Sequence, residues 1–229
     1  MASSHAALLD NITWHCLSGN QAGHASGDDR ARRYAKGFSG IVGFPEPHSP
    51  DLDALAKYCE PGERFYILDW TGPVTNQWRI EMESRVMRMV WDAPMPQEPG
   101  GAEPRRLGAR DVPAALELAA LTKPGPFAAR TIELGDYFGY FDGERLVAMA
   151  GERMWAGTLR EISGVCTHPE HQGRGHARAL MLRLARRQLA RGETPFLHVM
   201  SANPHAIALY GRLGFARYAE YPIRVIERR

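Results

Sequence analysis

Hydrophobic positions in the second half of the chain follow two different periods. Over residues 177–189 apolar side chains recur at helical spacing, and most arginines of this stretch fall outside the apolar stripe. The pattern predicts a helix that packs one face and exposes the other. Just before it, residues 162–167 include the β-branched Val165 and Thr167, which favour a strand, and Pro169 ends any pairing of that strand.

The same two periods predict elements along the rest of the chain. Before residue 92 they predict two helices and three strands, at residues 6–17, 50–58, 64–70, 77–81 and 86–91. Residues 92–108 are rich in proline and glycine, which predicts a linker. Beyond the linker we expect helices and strands at residues 109–121, 128–134, 136–141, 146–152, 160–167, 196–200 and 203–213, followed by a last strand. The division therefore predicts a supporting α+β domain over residues 1–91 and a second α+β domain over residues 109–229.

The loop between the strand at 160–167 and the amphipathic helix has the features of an anion site. The first turn of a helix presents free N–H groups and the positive end of the helix dipole. Gly173 and Gly175 would let a phosphate approach the backbone closely, and Arg174 adds a positive charge. A P-loop would need Gly-Lys-Ser/Thr here, and a dinucleotide fingerprint would need a glycine in place of Arg178. The loop therefore predicts that the chain binds a phosphate-bearing ligand, but not through a P-loop or a dinucleotide fingerprint.

Two motifs in this half of the chain resemble those of a known family. Gln172, Gly175 and Ala177 form Gln-x-x-Gly-x-Ala, which resembles the acetyl-CoA-binding motif of the GNAT acetyltransferase superfamily. The segment 203–215 resembles the Asn-x-x-Ala-x-x-x-Tyr-x-x-x-Gly-Phe signature that follows the fifth strand of GNAT enzymes. In the segment, Asn203 has the position of an N-cap, and a proline follows it.

The resemblance covers residues 105–229 and includes the order of the predicted elements. It implies an α+β GNAT fold, with a mixed, mostly antiparallel central sheet flanked by helices. The chain also resembles the bacterial GNAT subgroup that includes amino-acid-type N-acyltransferases. In this subgroup a smaller N-terminal domain can be a degenerate copy of the fold, and residues 1–91 are compatible with that arrangement.

The family resemblance also implies an activity and a set of site residues. It implies an N-acetyltransferase that moves an acetyl group directly from acetyl-CoA, its cosubstrate, to a primary amine of a small molecule or an amino acid. Tyr210 would protonate the coenzyme A sulfur as the general acid, and a backbone N–H near Val165 would stabilise the oxyanion. The residues expected to bind acetyl-CoA are Val165, Cys166, Thr167, Gln172, Gly173, Arg174, Gly175, His176, Ala177, Asn203, Ala206 and Tyr210.

The general base and the role of Cys166 each leave alternatives open. Glu161 is our candidate base, because this superfamily often places a carboxylate at the start of the strand that leads into the phosphate loop. Glu152, Glu133 and a water relay are alternatives. Cys166 could form a covalent acyl-enzyme, but no recognisable His–carboxylate arrangement accompanies it, so we expect a packed thiol.

Three histidines near the phosphate loop raise the question of a metal site. His168, His171 and His176 are spaced His-x-x-His-x-x-x-x-His, but no cysteine or carboxylate cluster completes a tetrahedral set. We therefore expect no metal.

Composition narrows the partners and the compartment. The 229 residues carry a net charge of +2, which is too nearly balanced for an electrostatic nucleic-acid binder. The three cysteines are widely spaced, which favours a reducing compartment, and the chain has neither an apolar run of membrane-spanning length nor a signal-peptide pattern at its start. We expect a cytoplasmic monomer or homodimer that binds neither nucleic acid nor membrane. Two alternatives stay open: a protein N-terminal or lysine acetyltransferase, and a non-catalytic acyl-CoA-binding module.

Overall fold

A large mixed sheet forms the centre of the structure, a computed structural model that describes the backbone of residues 2–229 and the side chains of residues 5–229. The helices are α1 (Ala2–Asp10), α2 (Ile12–Ser18), α3 (Leu52–Ala56), α4 (Val112–Thr122), α5 (His176–Ala190) and α6 (Pro204–Leu213). The strands are β1 (Ala25–Gly27), β2 (Arg32–Tyr34), β3 (Val42–Gly43), β4 (Arg64–Leu68), β5 (Trp78–Trp91), β6 (Arg105–Arg106), β7 (Tyr137–Asp142), β8 (Arg145–Ala156), β9 (Leu159–Thr167), β10 (Thr194–Met200) and β11 (Phe215–Arg228).

The strand order of the large sheet is β4-β11-β5-β10-β9-β8-β7-β6, and β1, β2 and β3 form a small second sheet. Strands β9 and β10 run parallel, whereas the other neighbouring strands run antiparallel. The predicted α+β class with a mixed, mostly antiparallel sheet is confirmed. None of the helices that the structure describes is both long and apolar enough to cross a membrane.

The two faces of the large sheet are covered by different parts of the chain. On one face lies α5, the predicted amphipathic helix, whose fully buried Leu180 and Leu184 join a core cluster with Leu197 of β10. On the other face, Ile12 of α2 packs in a cluster with Phe196 of β10. Each such side chain contributes about 1.5–3 kcal/mol when fully buried, so both faces depend on these contacts for stability.

Several predicted elements differ in the structure. The predicted helix at 6–17 is divided at Asn11 into α1 and α2, and the strands predicted at 77–81 and 86–91 form one continuous strand because β11 pairs along all of β5. The helix predicted at 128–134 is only a short 3₁₀ turn, Thr131–Leu134, in which the Thr131 hydroxyl accepts a hydrogen bond from the Ala128 N–H. The sequence did not predict β1, β2, β3 or β6.

The sheet also bears on the predicted domain boundary. Strands β4 and β5, which precede the predicted linker, pair with β11 and β10, which follow it. The linker itself contains β6, whose Arg105 pairs with Gly139 of β7. The boundary at 92–108 therefore does not separate two sheets. The division into units of residues 1–91 and 109–229 stays a prediction about independent folding, and the shared sheet argues against it.

The centre of the sheet opens between β9 and β10. The two strands pair only from Thr194–Leu159 to Phe196–Glu161, although both strands continue for several residues. On the other side of β9, Met149 pairs with Cys166 and Gly151 with Ser163, so Gly164 and Val165 together oppose a single residue of β8. Gly164 has φ +64°, which is the left-handed conformation of a glycine bulge. The divergence and the bulge leave Val165 without a paired residue on either neighbouring strand of the described sheet.

Candidate active site

Two cavities meet at the opening between β9 and β10. A groove of about 610 Å³ lies on the α5 side, and a cavity of about 400 Å³ lies on the side covered by the first part of the chain. Both volumes fall in the range of small-molecule sites, about 300–1,000 Å³. The residues that line both cavities are Thr122, Val165, Asn203, Ala206 and Tyr210. A ligand in the groove and a second ligand in the cavity would therefore meet beside Tyr210.

The outer end of the groove has the backbone features of an anion site. Gly175 is the N-cap of α5 with φ +81°, a conformation that side-chain-bearing residues rarely adopt, and no other atom lies within 4 Å of the position that a Cβ would take. The free N–H groups of the first helical turn and the dipole of α5 favour an anion there. Arg174 and Arg178 line the same end of the groove. The strand, loop and helix thus have the arrangement that the sequence predicted for a phosphate cradle, and phosphate binding there stays a prediction.

All twelve residues expected to bind acetyl-CoA line this one groove. They are Val165, Cys166, Thr167, Gln172, Gly173, Arg174, Gly175, His176, Ala177, Asn203, Ala206 and Tyr210. The structure brings them together, and their individual roles in binding stay predictions.

Helix α6 places Asn203 and Tyr210 at the meeting point of the cavities. Asn203 is the N-cap, and its side-chain oxygen accepts a hydrogen bond of 3.0 Å from the Ala206 N–H, which leaves its amide group free to donate. The Tyr210 ring packs against Phe215, and its hydroxyl has no hydrogen-bond partner among the described residues. Burial raises the pKa of Tyr210 to about 12, so the hydroxyl stays protonated at neutral pH.

The cavity opposite the groove has a lining of mixed origin. Its walls include apolar side chains from the first 91 residues, such as Ile41, Leu68 and Val86, together with residues of β9 and β10. Its charged lining residues are Lys123 and Arg153, and no aspartate or glutamate of the described chain lines it. The sequence patterns did not indicate Arg153, Lys123 or His198 as site residues. A signal existed, since Arg153 and His198 each interrupt an apolar run within a strand.

Comparisons with known proteins give the family. The FR47-like protein family matches residues 137–223. A solved structure of a GNAT-family protein from Novosphingobium aromaticivorans, described as an acetyltransferase, is 31% identical with a TM-score of 0.84, and the match covers 96% of this chain and 98% of that chain. The chain belongs to the GNAT family. No curated protein matches it in sequence.

Two more distant GNAT structures share the fold. A GCN5-related N-acetyltransferase from Kribbella flavida is 15% identical with a TM-score of 0.62, and the match covers 95% of this chain and 94% of that chain. A GCN5-related N-acetyltransferase-like protein from Streptococcus suis is 18% identical with a TM-score of 0.61, with coverages of 95% and 92%. The predicted family and the predicted class of enzyme, an acyltransferase, are confirmed. The GNAT fold family binds acetyl-CoA.

Glu161 does not occupy the position of a general base in this GNAT site. It is fully buried, lines neither cavity, and both carboxylate oxygens accept hydrogen bonds of 2.8 Å from Arg153, one of them also from Nδ1 of His198. Burial opposes ionisation of Glu161, but the charge of Arg153 and the hydrogen bonds from His198 and Arg153 outweigh it and lower the pKa to about 2. Such a carboxylate is a poor proton acceptor at neutral pH, so the geometry does not support our prediction for Glu161.

The alternative carboxylates lie elsewhere as well. Glu152 is buried against the C-terminal end of α5, where Gln188 and Arg191 donate to it. Glu133 is exposed and paired with Arg130. Neither residue lines the groove or the cavity. Of the alternatives that the sequence left open for the base, the geometry favours the water relay.

Cys166 and the three histidines also have clear surroundings. Burial raises the pKa of the Cys166 thiol to about 11, which fits a packed thiol better than a nucleophile. His168 and His171 lie with Glu170 in a group whose candidate ligand atoms are within 4.8 Å of one another, and His176 lies outside it. Arg145 contacts both His168 and Glu170, so a positive charge already lies against two of the three members of this group. A metal-free site stays a prediction.

Proposed function

We propose that this GNAT protein transfers the acetyl group of acetyl-CoA directly to a primary amine of a small molecule or an amino acid. The observation that carries the proposal is the meeting of the groove and the cavity at Val165, Asn203 and Tyr210. One ligand can enter from each side of the sheet, and the two reacting groups can touch without a covalent intermediate on the protein.

The groove fits the chemistry of acetyl-CoA. The N-terminus of α5, with Gly173, Gly175 and Arg174, would hold the pyrophosphate. The unpaired edges of β9 and β10 would bind the amide groups of the pantetheine arm, with the Asn203 side chain as an additional donor. When bound, acetyl-CoA supplies the acetyl group as a reactive thioester.

The residues at the meeting point can assist the transfer. The unpaired backbone of Val165 offers an N–H to the negative charge that develops on the carbonyl oxygen. As the amine nitrogen forms its bond to the carbonyl carbon and the carbon–sulfur bond breaks, Tyr210 gives its proton to the sulfur. The surplus proton of the amine then returns through water to the Tyr210 phenolate, so the products are an amide and a thiol and the phenol is restored.

Water is the proposed proton carrier because the cavity offers no better base. His198 lines the cavity, but burial and the neighbouring charge of Arg88 lower its pKa to about 4. Its Nδ1 donates to Glu161, and its Nε2 accepts a hydrogen bond from Arg88. Both ring nitrogens are therefore already engaged.

The remaining parts of the proposal concern partners and compartment. The acceptor would be a small molecule, because a cavity covered by the first part of the chain suits a compact ligand better than a protein surface. Cys16, Cys59 and Cys166 are all free thiols, in keeping with a reducing cytoplasm. We propose a monomer or homodimer that engages neither nucleic acid nor membrane.

A thiol-release assay tests the proposed function. The full chain is incubated with acetyl-CoA and a panel of small amines, amino acids and peptides, and free thiol is measured; calorimetry measures acetyl-CoA binding in parallel. We expect binding together with thiol release on small amines or amino acids. Release with peptides alone would instead indicate a protein acetyltransferase, and binding without release on any acceptor would indicate a non-catalytic acyl-CoA-binding module.

A further inference from the structure

The charges around the acceptor cavity are one-sided. Arg153 and Lys123 line it, whereas no aspartate or glutamate of the described residues does. Lys123 follows the last turn of α4 in the left-handed conformation, with φ +50°, and makes no ion pair with a described residue. An ammonium group entering this cavity would meet positive charge and no carboxylate. An acceptor that carries a negative charge of its own would be attracted.

The buried groups behind the cavity add to this imbalance. Arg153, Glu161, His198 and Arg88 form one chain of hydrogen bonds. The two arginines and the single carboxylate leave a net charge of +1, since His198 stays neutral. Arg88 is 2% exposed, donates to the Leu9 carbonyl and lies over the Tyr221 ring, and it makes no direct ion pair with a described carboxylate. The negative charges of Glu161 and Asp10 act on it only through space, so its charge is offset in part.

Arg153 has donors to spare at the cavity wall. Its side chain is 9% exposed, and Nε and Nη2 each donate to Glu161. Its Nη1 makes only one long contact, 3.5 Å to the Pro126 carbonyl. A guanidinium carries five N–H donors, so a planar anion could accept a hydrogen bond from the free edge of Arg153 without breaking the pair with Glu161.

The rest of the lining selects the body of the acceptor. Apolar side chains from three parts of the fold, including Ile41, Met82 and Ile223, surround the cavity. A volume of about 400 Å³ admits an amino acid of leucine or phenylalanine size. A long polar or multiply charged amine would gain little from these walls and would lose its hydration.

We infer that the acceptor is a primary amine that carries a carboxylate and an apolar side chain, in other words an apolar amino acid. Arg153 binds the carboxylate, and the apolar walls bind the side chain. The inference rests on the proposed acetyl transfer and narrows its acceptor. The same charges reject polyamines and the ε-amino group of a lysine side chain.

The first experiment compares acceptors that share an apolar side chain and a primary amine and differ at the carboxyl group. Thiol release with acetyl-CoA is measured for L-leucine, L-leucinamide and 3-methylbutylamine, for the matching phenylalanine series, and for spermidine and a lysine-containing peptide. We expect kcat/KM for the amino acids to exceed that of the amides and amines by about 10- to 100-fold, the range expected for hydrogen bonds to a charged group. We expect no measurable use of spermidine or the peptide.

A binding measurement gives a second readout that does not depend on turnover. Calorimetry of the free protein with N-acetyl-L-leucine and with N-acetyl-L-leucinamide compares the two product forms. We expect the carboxylate form to bind at least about tenfold more tightly, for the same reason.

Two variants locate the effect. Lys123→Ala removes an exposed positive charge from the cavity lining, so it should lower kcat/KM for leucine several-fold and should not lower that for leucinamide. Lys57→Ala removes an equal exposed charge outside the cavity lining and should change neither value. The paired variant Arg153→Met with Glu161→Gln removes both buried charges together and should abolish the preference for leucine over leucinamide. Its thermal melt shows whether it is folded, and the acceptor comparison on the unaltered protein decides the inference if it is not.

The outcomes separate this inference from the proposed function. If no acceptor yields thiol, the proposed acetyl transfer itself is wrong. If acceptors without a carboxylate, including the amides, the amines, spermidine or the lysine-containing peptide, react as well as the amino acids, acetyl transfer stands and the carboxylate inference is overturned.

Discussion

Replacement of Tyr210 by phenylalanine tests the general acid without disturbing the fold. The ring keeps its contact with Phe215, and the hydroxyl that is lost has no partner among the described residues. No buried group is therefore left unpaired by the change. We expect the free energy of unfolding to change by less than about 0.5 kcal/mol.

Burial in the groove affects both the acid and the leaving group of the proposed proton transfer. Burial raises the pKa of Tyr210 to about 12, well above the pKa of about 8.5 for a thiol in water. A sulfur that leaves into the groove is also desolvated, however, and burial raises the pKa of the Cys166 thiol in that groove to about 11. Burial of the leaving sulfur therefore brings the pKa of the thiol closer to the pKa of the Tyr210 phenol, which favours proton transfer from Tyr210.

We expect Tyr210→Phe to lower kcat by about 10²–10⁴-fold, which corresponds to about 2.7–5.4 kcal/mol in the barrier, with acetyl-CoA affinity nearly unchanged. Steady-state thiol release gives kcat, and calorimetry gives the affinity. The matched control is Tyr218→Phe, since Tyr218 is 37% exposed and bonds to Asp10 away from both cavities. Wild-type turnover in Tyr210→Phe would refute the assigned role. If the wild-type rate instead fell as the pH rose, with a midpoint below pH 10, and Tyr210→Phe did not show this fall, the raised pKa of Tyr210 would be refuted.

The anion site, the buried network and the shared sheet lead to four further predictions. Gly175→Glu should weaken acetyl-CoA binding, measured by calorimetry, by at least about tenfold, because it brings a negative charge to the start of α5. The control is Gly192→Glu, just beyond the other end of α5, where φ is +74° and the backbone strain is similar; it should leave binding unchanged. Glu161→Gln should lower the free energy of unfolding, measured in urea, by about 3–5 kcal/mol, because Arg153 would lose its charged partner. A variant that loses activity but keeps its full stability would instead restore Glu161 as the candidate base. Because the pKa of Glu161 is about 2 in the folded protein and higher when unfolded, its stabilising contribution should be present above about pH 4.5 and disappear as the pH falls towards 2. A fragment starting at Glu103 should fail to unfold cooperatively by circular dichroism, since it lacks β5 between β10 and β11; a cooperative transition would support independent folding of residues 109–229.

The features that the sequence determined are those set by neighbours within a few residues. The apolar stripe of α5, the N-cap at Asn203 and the left-handed Gly175 each depend on local spacing and local backbone conformation. For this reason the anion site and the placement of Tyr210 were predictable, and the motifs that carry them were enough to indicate the GNAT family.

The tertiary structure decided which strands lie side by side and which charges lose contact with water. Nothing local in residues 78–91 indicates that this strand lies between β10 and β11, because strand pairing depends on partners more than one hundred residues away. Glu161 has the sequence position of a base, but only the fold shows that Arg153 and His198 engage its carboxylate. A pKa depends on burial and on the charges packed around a group, and long-range packing sets both. The acceptor cavity, whose walls come from both halves of the chain, was likewise decided by the fold alone.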